Sequence, residues 1–183
     1  DIIISETDRL SALVDNLLGP NHVARPQPTN VHEILERVVR LIEIESEQQV
    51  SFVRDYDPSI PDLPMDPEMM LQVFLNIARN AMQSLADTPS SQICITTRVD
   101  RNFTIGSKIH RMVTKVDIID NGPGISDDLK DHLFYPMITG RKDGTGLGLS
   151  LAQSLVHQHS GLIEFDSEPG CTRFSIIIPL ELS

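Results

Sequence analysis

The chain has 183 residues, 40% hydrophobic and 22% charged, which is the composition of a soluble globular protein with room for one sizeable domain and an appendage. Its formal net charge of −11 argues against a general binder of nucleic acid or of anionic membranes. No apolar run approaches the roughly 20 residues that cross a bilayer, so no membrane span is expected and a cytoplasmic location is favoured.

Two features bear on the chain's context. Cys94 and Cys171 lie far apart, without metal-ligand spacing, and each falls in a predicted strand, so we expect both to be reduced packing residues. The chain begins at Asp1 rather than at Met, which suggests a piece of a longer protein.

The first 18 residues form a unit of their own. An apolar stripe predicts a short amphipathic helix ended by Gly19 and Pro20, and its members are Ile3, Leu10, Leu13, Val14 and Leu17. This helix could pack on the main domain, or it could be one half of a helical hairpin or coiled coil. The spacing of seven favours the second possibility. Residues 19–29, which contain three prolines, predict a linker.

Two helices and one strand are predicted over the next 60 residues. Asn30 and Glu33 form a capping-box pattern before a helix. The expected buried face of that helix consists of Val31, Ile34, Leu35, Val38, Leu41 and Ile42. Residues 50–54 predict a strand, and residues 57–64 are rich in turn formers. Asp66 as cap and Pro67 at the first helical position open a second helix, which runs to about Ala86.

The rest of the chain predicts strands and short helices. Residues 92–99 and 111–119 are expected to be strands around a polar loop that contains Gly106. Ser126 begins a short helix, residues 135–145 are irregular, and a last helix runs from Gly146 to about His159. Strands 162–167 and 172–178 form a hairpin. This order predicts a two-layer α/β sandwich whose helices cover one face of a mixed sheet.

The second helix carries a polar stripe apart from its apolar one. Asn76, Asn80 and Gln83 share a face, with Arg79 beside them. An asparagine carbonyl oxygen is a hard ligand suited to Mg²⁺, which binds through few protein groups together with phosphates. A solvated helix face is the alternative for this stripe taken alone.

Two glycine-rich turns follow. Asp120 ends an apolar strand, where its carboxylate can accept a hydrogen bond from an exocyclic amine such as that of adenine, and Gly122 and Gly124 let the backbone approach a planar base. An ordinary Asn-Gly turn is the alternative. The second turn, residues 144–149, opens directly onto a helix, so its amides can cradle a phosphate. Arg141 and Lys142 just before it could pair with phosphate or remain solvated.

The complete set of motifs resembles a known family. Asn76-x-x-x-Asn80, Asp120-x-Gly122-x-Gly124, Phe134-Tyr135-Pro136 and Gly144-x-Gly146-Leu147-Gly148-Leu149 occur in the order of the N, G1, F and G2 boxes of sensor histidine kinases. These kinases share an ATPase superfamily with DNA gyrase, the Hsp90 chaperones and MutL. The resemblance covers about residues 30–180. The amino-acid sequence of the later boxes is most similar to that of sensor kinases of nitrogen regulation.

The resemblance implies a fold and a set of roles. The fold is a Bergerat-type α/β (α+β) sandwich with a short N-terminal helical stub. Asn80 is implied to coordinate Mg²⁺, Asn76 to support the phosphates of ATP and Asp120 to hold the adenine amine. Thr172 is implied to border the adenine pocket, and residues 135–145 to form the ATP lid.

The resemblance also implies a domain order, an activity and partners. Residues 1–18 end a dimerisation and phosphotransfer helix, residues 19–29 are the linker, and residues 30–183 form the ATP-binding catalytic kinase domain. The activity is transfer of the γ-phosphoryl group of Mg-ATP to a histidine. The implied partners are the phosphotransfer domain of the same protein, a response regulator of the NtrC type and a PII-type nitrogen-signalling protein. The intact protein is expected to be a homodimer.

Two departures from the family pattern matter. Many members have Lys where this chain has Gln83, so charge neutralisation falls to Arg79 or Arg141. The phosphoacceptor motif is absent, and the six histidines are interpreted as surface or packing residues: His22, His32, His110, His132, His157 and His159. We therefore expect no catalytic residue in this chain and place the phosphoacceptor histidine on another domain.

Two other functions remain open at this point. One is an ATPase of the same superfamily that hydrolyses ATP to drive a conformational clamp. A catalytic Glu on the Asn helix would favour it, but Glu68 lies only at the start of that helix. The other is a degenerate module that docks a partner without catalysis.

Overall fold

The computed structural model describes residues 23–47, 49–138 and 146–181. In chain order their elements are β1 (Gln27–Thr29), α1 (Val31–Glu45), β2 (Ser51–Asp55), β3 (Leu63–Met65), α2 (Pro67–Ser84), β4 (Gln92–Ile105), β5 (Lys108–Asp120), α3 (Asp127–Lys130), α4 (Gly148–Gln158), β6 (Leu162–Glu168) and β7 (Cys171–Pro179). The predicted helix of residues 2–18 lies outside the described residues.

Five strands form one mixed sheet in the order β2-β4-β5-β7-β6. β2 runs parallel to β4, and each of the other neighbouring pairs is antiparallel. Ile95, Ile118 and Phe174 lie side by side on one face of this sheet, where they join the apolar side chains of α1, α2 and α4 in a single core. The predicted two-layer sandwich with helices on one face is confirmed.

Helix α1 begins and packs largely as its sequence indicates. The side chain of Asn30 caps it by accepting a hydrogen bond of 2.9 Å from the amide of His32. The buried face was predicted correctly except at two positions: Val39 is fully buried but was not predicted, and Leu41 was predicted but is only half-buried.

Helix α2 is fixed at its start by a strong cap. The carboxylate of Asp66 accepts from the amides of Glu68 and Met69, at 3.1 and 3.2 Å, and Pro67 occupies the first helical position. A third bond to this carboxylate, from the amide of Arg25 at 3.0 Å, ties the preceding chain to the cap. The helix ends at Ser84, two residues before the predicted end.

Strands β1 and β3 form a small separate antiparallel sheet. β1 consists of residues that were assigned to the linker, and β3 overlaps the segment expected to be turns. Leu63 and Met65 of β3 are fully buried in the core, which explains why this segment is ordered against the domain.

The hairpin of β4 and β5 is longer than predicted. Its strands reach Ile105 and Lys108, so the polar loop consists only of Gly106 and Ser107. The two cysteines lie in strands as expected, but the prediction that both are packing residues is wrong for Cys171. That residue is exposed at the start of β7, whereas Cys94 is half-buried.

Candidate nucleotide-binding site

The polar stripe of α2 lies beside the core rather than on an open helix face. Val73, Phe74 and Ile77 are fully buried, while Asn76 and Asn80 are half-buried at the border of the apolar face. The interpretation of a fully solvated face therefore does not fit these two asparagines. Gln83 is exposed further along the same helix.

Asn76 joins α2 to the start of α4. Its side-chain nitrogen donates a hydrogen bond of 3.2 Å to the carbonyl oxygen of Gly148. The N-cap of α4 is Leu147, which has no side-chain oxygen to accept from the first amides of the helix. The amides at this helix start are therefore suited to an anion, with the helix dipole adding partial positive charge.

Gly146 is required by a close crossing of the chain. Its φ is +65°, and a Cβ placed on it would lie 2.7 Å from backbone atoms of Met137 and Ile138. The amide of Met137 also donates a hydrogen bond of 3.0 Å to the carbonyl oxygen of Gly146. This contact fixes the point where the chain enters α4. Arg141 and Gly144, which were predicted to contact phosphate, lie outside the described residues.

Asp120 is a buried carboxylate at the end of β5, with 3% of its surface exposed. Its Oδ1 accepts from the amide of Gly122 at 3.0 Å and from the hydroxyl of Ser84 at 3.2 Å. A Cβ on Gly122 would lie 2.7 Å from that same Oδ1 and 2.9 Å from the Ser84 hydroxyl. Glycine is thus needed at residue 122 so that the turn can fold over the carboxylate.

The turn after Asp120 is tied to the turn between β6 and β7. Gly124 has a φ of +86°, and a Cβ there would lie 3.0 Å from the backbone of Glu168. The amide of Gly170 donates a hydrogen bond of 2.8 Å to the carbonyl oxygen of Gly122. At Gly122 and at Gly124 an added Cβ would meet atoms of the protein itself. Packing therefore favours glycine at both positions, in addition to the predicted close approach of a nucleotide base.

Thr172 lies next to Asp120 in the sheet. The two residues are register partners on β7 and β5, and Thr172 is 4% exposed. Its hydroxyl lies 2.9 Å from that of Ser167 on β6, which also accepts a hydrogen bond of 2.9 Å from the amide of Ile125. The structure thus groups Asp120, Gly122, Gly124 and Thr172 at one end of the sheet.

Arg79 is engaged by a neighbouring helix. Its guanidinium donates to both carboxylate oxygens of Glu45 on α1, from Nε at 3.0 Å and from Nη2 at 2.5 Å. The side chains of this pair are 43% and 32% exposed, so the pair contributes little to stability. A contact between Arg79 and phosphate remains a prediction, and it would compete with Glu45.

The side chains of the site are compatible with a Mg²⁺ ion that is coordinated mainly by the phosphates of a bound nucleotide. Within residues 23–47, 49–138 and 146–181, no group of three or more His, Cys, Asp or Glu side chains could hold a metal ion. Mg²⁺ commonly retains water and binds through one or two protein groups plus phosphate oxygens. The amide oxygen of Asn80 is of the required hard type.

The motifs did not predict the roles of Ser84 and Ser167. Ser84 follows Asn80 by four residues, as Asn80 follows Asn76, so the polar stripe could have been extended to include it. No short-range signal marks Ser167, because its role depends on register with Thr172 across two strands.

Comparison with known proteins identifies the family. Residues 65–182 match the model described as "Histidine kinase-, DNA gyrase B-, and HSP90-like ATPase". The chain belongs to this ATPase family. The match supports binding of ATP by this chain. Among the described residues, no helix has both the length and the hydropathy that a membrane span requires.

The curated relatives that the chain resembles include sensory histidine kinases/phosphatases named NtrB. The sensory histidine kinase/phosphatase NtrB of Klebsiella oxytoca is 49% identical over 179 residues, which are 98% of this chain and 51% of that protein. The NtrB of Rhizobium leguminosarum bv. phaseoli is 34% identical over 184 residues, covering 97% of this chain and 48% of that protein. The chain therefore spans about half the length of the curated relatives it matches.

Solved structures confirm the fold. The catalytic domain of histidine kinase ThkA is 24% identical, with a TM-score of 0.70 over 85% of this chain and 95% of that one. ThkA in complex with the response regulator TrrA gives a TM-score of 0.73 at 24% identity, over 98% of this chain and 50% of that one. The predicted Bergerat-type α/β sandwich is thus confirmed.

Proposed function

We propose that this chain is the ATP-binding catalytic domain of a nitrogen-regulation sensor histidine kinase. It would present the γ-phosphoryl group of Mg-ATP to a histidine on a phosphotransfer domain outside this chain. One observation carries the proposal: α2 is joined to the start of α4 through Asn76 and to the end of β5 through Ser84. Motif residues that lie far apart in sequence thereby come to the middle and to the C-terminal end of one helix, in a chain similar to NtrB proteins.

The middle and the C-terminal end of α2 are suited to the two ends of a nucleotide. Asn76 and Ser84 are eight residues apart, which is about 12 Å along an α-helix. Near Ser84 the carboxylate of Asp120 accepts hydrogen bonds, as the amino group of adenine requires, and Thr172 borders the same place. Near Asn76 the amides of α4 and the side chain of Asn80 face the phosphates in this proposal.

The chain's contribution to phosphoryl transfer is positioning and charge stabilisation. Such transfers need alignment of the phosphoryl group with its acceptor and neutralisation of charge more than covalent chemistry. Mg²⁺, when bound through Asn80, would supply positive charge at the phosphates. Asn76 and the amides at the start of α4 would orient the phosphates. The nucleophilic histidine belongs to the other domain.

Hydrolysis of ATP in a conformational clamp is less well supported. Glu68, the acidic residue on the Asn helix, lies in the first turn of α2, eight residues or about 12 Å before Asn76. Its side chain is 80% exposed and lies 3.9 Å from Arg37 of α1. It is therefore poorly placed to activate water beside the phosphates.

The partners follow from the same proposal. ThkA is known in complex with a response regulator, and NtrB relatives are sensory kinases and phosphatases. We extend this to an NtrC-type response regulator, a PII-type signalling protein and the phosphotransfer domain of the same homodimeric protein, in the cytoplasm.

The decisive test is phosphotransfer between separate domains. The chain is first titrated with a fluorescent ATP analogue, with and without Mg²⁺. It is then mixed with the phosphotransfer domain of the Klebsiella oxytoca relative and γ-labelled ATP. We expect Mg²⁺-dependent binding and label on a histidine of the added domain, with none on this chain alone. Asn80→Ala should weaken the Mg²⁺-dependent binding at least about tenfold, as loss of a metal ligand predicts.

A matched amide substitution controls for general damage. Gln153 is exposed in the middle of α4 and away from the residues grouped above, so Gln153→Ala should behave as the unmodified chain. Binding of the analogue without any transfer, at all concentrations of the added domain, would contradict the kinase assignment. No measurable binding would favour the docking module.

A further inference from the structure

Three buried polar side chains lie in a row across the end of the sheet. Asp120, Thr172 and Ser167 are successive register partners on β5, β7 and β6. They are 3%, 4% and 6% exposed, on the face that the helices cover. Because burial of polar groups is costly unless they are hydrogen-bonded, such a row requires partners at both ends.

Ser167 provides the partner at one end. Its hydroxyl accepts from the amide of Ile125, at 2.9 Å, and forms a hydrogen bond of 2.9 Å with the hydroxyl of Thr172. Each hydroxyl carries one proton. If Ser167 donates to Thr172, the proton of Thr172 is directed to a third group. In either direction, the hydrogen bond with Ser167 restricts the rotation of the Thr172 hydroxyl.

Ser84 provides the partner at the other end. Its hydroxyl lies 2.7 Å from the carbonyl oxygen of Ala81 and 3.2 Å from Oδ1 of Asp120. One proton is thus shared between a helix carbonyl and a carboxylate. Together with the amide of Gly122, this contact holds Oδ1 towards α2 and the turn, and so fixes the plane of the carboxylate.

We propose that Ser84 and Ser167 are positioning residues for nucleobase selection: Ser84 orients the carboxylate of Asp120, and Ser167 orients the hydroxyl of Thr172. An ionised carboxylate only accepts hydrogen bonds, so in a fixed orientation it favours a purine with a 6-amino group and disfavours one with a 6-oxo group. The inference rests on the proposed function, because it requires a nucleotide base at Asp120.

The test compares ATP with inosine triphosphate, which carries a 6-oxo group. Both nucleotides compete with the fluorescent ATP analogue for the chain and for its Ser84→Ala and Ser167→Ala variants. We expect each variant to bind ATP about three- to tenfold more weakly, as loss of one hydrogen bond to a binding group predicts. The preference for ATP over inosine triphosphate should fall by a similar factor.

Two further readouts separate positioning from structural support. Phosphotransfer to the added domain at saturating ATP should keep its kcat while KM for ATP rises, because both serines lie at the base end of the site. Ser84→Thr and Ser167→Thr retain a hydroxyl and should restore the nucleotide preference. A purely structural role would lower Tm and weaken both nucleotides equally.

Ser46→Ala is the matched control. The Ser46 hydroxyl makes a comparable local bond, to the carbonyl oxygen of Glu43 at 3.4 Å, at the end of α1. Its removal should change neither affinity nor preference. If the unmodified chain prefers ATP and both alanine variants keep that preference, the positioning role is overturned while the proposed function stands. If the unmodified chain binds neither nucleotide, the proposed function itself fails.

Discussion

Gly146 and Gly148 belong to one motif but are constrained differently. At Gly146 the backbone has a φ of +65°, and a side chain would meet the backbone of Met137 and Ile138 at 2.7 Å. At Gly148 the nearest atoms to an added Cβ belong to Asn76 and lie 3.8 Å away, an ordinary contact distance. Gly146 is therefore required by the fold, whereas a methyl group at Gly148 fits within the protein.

This difference predicts opposite outcomes for two alanine variants. Gly146→Ala should lower the free energy of unfolding by about 1–3 kcal/mol, because it combines left-handed backbone strain with a backbone clash. Gly148→Ala should change it by less than about 0.5 kcal/mol. Urea denaturation of both variants measures the difference. Equal stability of the two variants would show that Gly146 is not held in the strained crossing.

At the scale of elements, helix signals in the sequence were more informative than strand signals. Asp66 and Pro67 marked the start of α2 to the residue, because capping is local chemistry. The outer part of the β4–β5 hairpin, beyond Asp100, was predicted as a loop. Its residues pair mainly with each other and so lack the apolar alternation of strands in a covered sheet.

The remaining errors also have physical causes. β1 and β3 have three residues each, and Pro28 faces Pro64 across the pair, so no strand pattern is visible in the sequence. The motifs identified Asn76, Asp120 and the glycines as candidate site residues, because such residue types at fixed spacing are rare. Ser84 and Ser167 were missed because common residues acquire a role only through the register and the packing of α2 on β5.

The cap of α2 has a measurable contribution. Asp66→Ala should destabilise the chain by about 1–2 kcal/mol, because the amides of Glu68 and Met69 lose their acceptor and the bond from Arg25 is lost as well. Ser126 is the N-cap of α3 but makes no side-chain cap bond, so Ser126→Ala should have almost no effect. Thermal unfolding of both variants tests this. Equal destabilisation would contradict the assigned cap.

At the scale of the whole molecule, polar contacts join the helical layer to the sheet. His32 of α1 lies with Nε2 3.0 Å from the hydroxyl of Thr97 on β4, which accepts from the amide of Asp57 at 2.9 Å. The ring of His32 stacks on Tyr56 at 4.9 Å. The hydroxyl of Tyr56 donates a hydrogen bond of 3.0 Å to Glu36, and burial raises the pKa of Tyr56. Glu45 of the same helix, α1, pairs with Arg79 of α2.

This junction gives the stability of the molecule a defined pH dependence. Burial lowers the pKa of His32 from 6.5, although the carboxylates of Asp57 and Glu36 act in the opposite direction. The unfolded chain therefore binds a proton at His32 more readily than the folded chain does. The contribution of the neutral ring is complete above pH 6.5 and is lost as the pH falls from 6.5 through the lower folded value.

Carboxylates affect stability in a separate, more acidic window. Burial raises the pKa of Asp66, but hydrogen bonds from the amides of Arg25, Met69 and Glu68 outweigh it, so the pKa lies below 3.8. The stability that Asp66 contributes is therefore present above pH 3.8 and lost below it. Urea denaturation between pH 5 and pH 8 therefore keeps the test of His32 separate from the titration of Asp66. His32→Gln should flatten the decline of stability below pH 6.5, whereas His132→Gln, at an exposed position, should retain it. An unchanged decline in His32→Gln would place the titrating group elsewhere in the chain.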